Sequence, residues 1–123
     1  MKREILFRGR TPEGEWVYGN LFNKHKLTEV GKVFWCFLIH DGALTSHVVN
    51  PETVGQFTGL FDKKKVKIFE GDILRADSWK FKWIVQFDIT RGRFNCVINK
   101  EGSQNDFIPT SMVKVIGNIH EPI

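Results

Sequence analysis

Trp79-Lys80-Phe81-Lys82-Trp83-Ile84-Val85-Gln86-Phe87 carries the clearest structural signal in the chain. Trp79, Phe81, Trp83, Val85 and Phe87 occupy alternate positions, while Lys80, Lys82 and Gln86 lie between them, with Ile84 the exception. Side chains of a β-strand point to opposite faces in turn, so a period of two describes a strand with one apolar and one polar face. Large apolar side chains are mostly buried, so the aromatics are expected to face a core and the lysines water.

The flanking sequence continues in strands. Asp88 to Gly92 reads as a turn, and Arg93-Phe94-Asn95-Cys96-Val97-Ile98 as the returning strand. Upstream, Val66-Lys67-Ile68-Phe69 and Asp72-Ile73-Leu74-Arg75 flank Glu70-Gly71, and Asp62-Lys63 opens a hairpin turn with Lys63-Lys64-Lys65 at its tip. Asn99 to Asp106 is a polar loop, and Met112 to Ile119 a last strand. In the first half, Glu4 to Arg8 is a short apolar run closed by Gly9 and by the turn Thr11-Pro12-Glu13-Gly14, with Trp16 to Phe22 as its hairpin partner. Asn23 to Thr28 is polar and reads as an exposed loop. Val33 to Ile39 is apolar without alternation, which suits a strand covered on both faces. Asp41-Gly42 turns the chain into Ser46 to Val49, and Asn50 caps a single helical turn begun by Pro51.

No stretch of ten residues carries a helical period. The reading is a mainly β protein: one antiparallel domain over residues 1–123, a partly open SH3-like barrel built largely from Thr58 onward, with additional N-terminal strands. Eleven Phe and four Trp in 123 residues supply a core without metal or disulfide. Cys36 and Cys96 sit in apolar runs and behave as small buried hydrophobes. The charged start Met1-Lys2-Arg3-Glu4 has no apolar segment behind it, and no apolar run is long enough to span a bilayer, so a cytoplasmic, membrane-free protein is expected.

Four patches, in order, resemble the YopX family. Arg3 to Gly9 with Trp16 and Tyr18-Gly19 is similar to its opening. Val54-Gly55-Gln56-Phe57-Thr58-Gly59-Leu60-Phe61-Asp62-Lys63, followed by Ile68-Phe69-Glu70-Gly71-Asp72-Ile73, resembles its hallmark string. Val85-Gln86-Phe87-Asp88 matches its next strand, and Val115-Ile116-Gly117-Asn118-Ile119-His120-Glu121 its ending. The resemblance implies a small phage or prophage protein without an established activity, and homo-oligomerisation; it carries over no catalytic residue. The hallmark also has a reading in backbone terms: Gly55, Gly59 and Gly71 lie where positive backbone angles or close strand approach are needed, and Asp72 can accept from nearby backbone donors.

Candidate sites are sparse. Glu70 and Asp72 would share a face at i and i+2 of a strand, but Gly71 between them favours a bulge that points them apart. His25, His40, His47 and His120 lack the spacing of a zinc site, and no nucleophile elbow, P-loop or dinucleotide motif occurs. The expectation is a non-enzyme with no catalytic residue, cofactor, metal or small-molecule substrate, acting through binding or homo-oligomeric assembly. The alternative is nucleic-acid binding, which the formal charge of +4 permits. It would use Lys63, Lys64, Lys65 and Lys67 on phosphates, with Lys80 and Lys82 interleaved among aromatics.

Overall fold

The computed structural model describes residues 4–29, 32–43, 45–77, 81–98, 104–105 and 107–121, with the strand segments 23–29, 32–36 and 104–105 described by their backbone alone. Among them lie eleven strands, a single 3-10 turn and no α-helix, so the mainly β expectation is met. All strand pairings are antiparallel, and neither sheet closes into a barrel. The chain divides into two compact units, 1–56 and 57–123.

The first unit is a meander. β1 (Phe7–Arg10) pairs with β2 (Trp16–Glu29) across the Thr11–Gly14 turn, which is closed by a 2.9 Å bond from Gly14 N–H to the Thr11 carbonyl. β3 (Lys32–His40) pairs with β2, and β4 (Ser46–Val49) with β3. Two sequence expectations are corrected here. β1 starts at Phe7 rather than Glu4, and Ile5 is exposed. The Asn23–Thr28 stretch is strand, paired as far as Glu29 with Lys32 after a bulge between Phe22 and His25. Its polar composition does not prevent pairing, because the ladder is made by backbone groups that every non-proline residue carries.

Gly19 shows why a glycine stands in β2. A Cβ there would overlap the His40 carbonyl oxygen on the neighbouring strand. Leu38 and Ile39 are both buried though adjacent, so β3 is covered on both faces at that point, as the unalternating apolar run requires. Arg8 is also buried, its guanidinium 5.0 Å from the centre of the Trp16 ring. At the 3-10 turn Pro51–Thr53, the Asn50 side chain accepts from Glu52 N–H at 3.1 Å, the expected cap.

β5 (Gly55–Phe61) begins in the first unit, where Gly55 and Gln56 pair with β1, and ends in the second, where Phe57 and Phe61 pair with β6 (Lys67–Phe69). The remaining strands form a five-stranded sheet in the order β10-β9-β8-β7-β11: β7 (Asp72–Arg75), β8 (Trp83–Asp88), β9 (Arg93–Ile98), β10 (Gln104–Asn105) and β11 (Lys114–Asn118). β10 corrects the all-loop reading of Asn99–Asp106. The core of this unit gathers Ile68, Leu74, Ala76, Val85, Ile108 and Val113, with Trp83, Phe94 and Val115 packed against it.

The alternating stretch is shorter in the fold than in the sequence. The strand begins at Trp83, Val85 is buried and Trp83 half-buried, but Phe81 and Phe87 are 52% and 42% exposed. Phe81 precedes the paired segment, and Phe87 packs edge-on against Phe94 opposite it, ring centres 5.1 Å apart. Alternation alone places side chains on a face; whether that face is covered along its whole length depends on what packs above it. Trp79 and Lys80 lie outside the described residues.

Candidate functional site

Three aspartates organise the second unit's turns, each by accepting backbone N–H groups. Asp62 is 3% exposed; its Oδ1 accepts from Lys64 N–H (2.7 Å) and Val66 N–H (2.9 Å), and its Oδ2 from Val115 N–H on β11 (2.9 Å). Burial pushes its pKa up, but the donors of Val115, Val66 and Lys64 outweigh this, and the net shift is downward. Asp72 accepts from Phe69 N–H at 2.7 Å, as expected. Asp88 accepts from Thr90 N–H, Arg91 N–H and the Arg91 guanidinium, which is the leading cause of its lowered pKa.

The Glu70–Asp72 pair is not a two-carboxylate site. Gly71, at φ +91°, turns the chain between β6 and β7, so Glu70 lies in the turn while Asp72 is buried in β7 and aimed at the backbone. Gly59 is also positive, at +87°, whereas Gly55 sits in the β5 ladder opposite Arg8. Gly71 also brings the hallmark patch together with the ending patch: its carbonyl accepts from Ile119 N–H at 3.0 Å, and a Cβ there would lie 3.6 Å from the His120 ring. Among the described residues no group of three or more His, Cys, Asp or Glu could hold a metal ion. His47 Nε2 lies 3.0 Å from Asp41 on the exposed β3–β4 turn. Cys96 is buried, with its Sγ 3.8 Å from the Phe107 carbonyl oxygen.

The basic run stands where the sequence puts it, at the tip of the β5–β6 hairpin. Asp62 N–H donates to the Val66 carbonyl (2.8 Å) and Lys65 N–H to the Asp62 carbonyl (3.0 Å), closing the turn; Lys63 N–H donates to Val113 (3.0 Å), tying it to the start of β11. Lys65 takes a left-handed φ of +67°, the one positive value among the described non-glycine residues. That conformation costs an L-residue roughly 1–2 kcal/mol, held here by the bonds on either side. Glycine or asparagine would occupy it at less cost.

The lysines have different surroundings. Lys63 Nζ is 3.3 Å from Asp77, whose side chain is highly exposed, and Lys67 Nζ lies 5.2 Å from the centre of the Phe57 ring. Lys64, Lys65 and Lys82 are exposed, and Lys80 is outside the described residues. Two further cations, Arg75 and Lys114, face each other as a cross-strand pair of β7 and β11, and both are exposed.

Beside the tip lies an open hollow of about 340 Å³ lined by Phe61, Asp62, Lys63, Lys65, Thr110 and Ser111. Its far wall is the turn after Ile108, closed by bonds from Thr110 N–H to Ile108 (2.8 Å) and from Met112 N–H to Pro109 (3.0 Å). Sequence reading missed Thr110, Ser111 and Phe61 as neighbours of the lysines. No local signal marks them, because the two walls meet only through long-range bonds such as Val115 N–H to Asp62.

An open, two-unit antiparallel β protein with a basic hairpin tip is the class these features define. The chain matches the YopX protein family over residues 6–122 and belongs to it. No curated protein matches it. The crystal structure of protein EF1440 from Enterococcus faecalis is similar, with a TM-score of 0.54 and 24% identity over 97% of this chain and 95% of that one. That likeness concerns the fold.

Proposed function

We propose that the protein is a non-enzymatic, cytoplasmic accessory protein of phage or prophage, acting through binding or homo-oligomeric assembly. The observation that supports this reading is apolar exposure: Ile5, Tyr18 and Phe22 in the first unit and Phe81, Ile89 and Phe107 in the second are all open to solvent. Exposed hydrophobes scattered singly are ordinary, and a partner or second copy is called for where such large ones adjoin in a patch. The phage or prophage setting rests on the resemblance of the four patches to the family. Sedimentation velocity from about 5 to 200 µM, where assemblies of moderate affinity populate, tests the assembly arm. A concentration-dependent species heavier than the 14.3 kDa chain is expected; a monomer throughout removes self-assembly and leaves binding to another molecule.

A second reading is favoured by one observation, the fixed turn that holds Lys63, Lys64 and Lys65 together beside a hollow. It is nucleic-acid binding through phosphate contacts, with Lys67 and Lys82 as outlying contributors. Fluorescence anisotropy of labelled single- and double-stranded DNA and RNA should then show affinity that falls steeply between about 50 and 200 mM salt. No binding at the low end removes this reading.

A further inference from the structure

We infer that the hollow between the β5–β6 tip and the Pro109–Met112 turn is a receptor for a phosphate monoester carried by a nucleotide, either free or at the end of a single strand. The inference rests on the nucleic-acid reading and narrows it from a general basic surface to one seat.

Four observations carry it. The volume, about 340 Å³, stands at the lower end of small-molecule sites, so it suits one nucleotide rather than a duplex. The lining residues include two lysines, Lys63 and Lys65, and two hydroxyl residues, Thr110 and Ser111, side chains long or polar enough to donate to the oxygens of a phosphate. Phe61, 43% exposed on the same wall, offers an apolar ring against which a base can stack. Finally, Lys65 keeps a strained backbone conformation that glycine would adopt freely. Strain that the surroundings hold in place is characteristic of binding and switch positions.

Two features oppose an anion here, and geometry offsets each only in part, since Asp62 keeps its charge. Asp62 contributes a carboxylate to the lining, but its two oxygens already accept three backbone N–H groups. Lys63 already has a partner in Asp77, yet that carboxylate side chain is 86% exposed. Exposed pairs of this kind are weak, and a dianionic phosphate can displace such a partner.

The test uses the intact chain and Lys65→Gly, a variant that relieves the backbone strain while removing one ammonium. Nucleoside 5′-monophosphates, the matching nucleosides and inorganic phosphate are titrated by NMR, and 5′-phosphorylated and 5′-hydroxyl oligonucleotides of equal sequence are compared by anisotropy. Expected are shifts at the amides of Lys63, Lys65, Thr110 and Ser111 with monophosphate but not nucleoside. Affinity for the phosphorylated oligonucleotide should exceed that for its 5′-hydroxyl twin and drop about tenfold in the folded Lys65→Gly variant, the scale of one charge-assisted contact. Inorganic phosphate alone shifting the four amides supports the phosphate seat; a nucleotide that binds more tightly than phosphate adds Phe61 to it. Equal affinity for the two oligonucleotide ends assigns the seat to the free nucleotide where monophosphate still shifts the four amides, and overturns the seat, leaving strand binding intact, where it does not. Absence of all binding overturns both.

Discussion

At the residue scale, Asp62 is the side chain on which the basic tip depends. One carboxylate satisfies two N–H groups of its own turn and one on β11, and it stays ionised below the usual range because those donors favour the charged form. Asp62→Ala leaves three donors without this partner, and hydrogen bonds to charged groups contribute about 1.5–3 kcal/mol each. Since such contributions overlap and water reaches a turn, a loss of about 3 kcal/mol in urea unfolding is expected. The pH dependence has a definite sign. A carboxylate with a depressed folded pKa stabilises the fold fully above its unfolded value, near 3.8, and progressively less as pH falls through the folded value. Comparing wild type with Asp62→Asn should therefore show a smaller stability difference below pH 3.8 than at pH 6. A difference independent of pH would mean that the charge on Asp62 contributes nothing.

At the scale of single elements, β2 and β8 mark what periodicity can and cannot tell. The alternation of Trp83, Val85 and their neighbours correctly indicated a strand, because period two is a property of the extended backbone itself. It could not show that the strand begins only at Trp83, nor that Phe81 and Phe87 lie open, because coverage is supplied by other parts of the chain. Conversely, β2 continues through Asn23-Lys24-His25-Lys26, where no alternation announces it, since its ladder partner is β3. Gly19 in that strand gives a sharp prediction. Gly19→Ala places a methyl against the fixed carbonyl of His40, which as backbone cannot rotate aside. The loss in thermal unfolding should be well above the ~1 kcal/mol typical of point substitutions. A neutral result would show that β2 and β3 are looser at this point than their register implies.

For the whole molecule, the competing readings have opposite responses to salt. Assembly through exposed apolar side chains is kept or strengthened by a salt such as ammonium sulfate, which favours burial. Phosphate contacts weaken, because bound lysines displace counterions that added salt restores. Measuring sedimentation and oligonucleotide anisotropy on one salt series separates them: a heavier species that persists at high salt belongs to the apolar surfaces, and one that dissolves belongs to charge.

Sequence by itself determined the β class, the hairpin turns with their Asn, Asp and Gly signals, the position of the lysine tip and, through four patches of similarity, the family. These are local properties: turn chemistry, capping and alternation act within a few residues of chain. Tertiary pairing alone shows that β2 runs on to Glu29, that Lys63 turns to Asp77, and that Thr110 and Ser111 stand across from Lys65. The reason is physical. Each depends on a pairing or a bond between segments remote in sequence, such as Val115 N–H to Asp62, and a side chain's neighbours across that distance leave no periodic trace in the residues themselves.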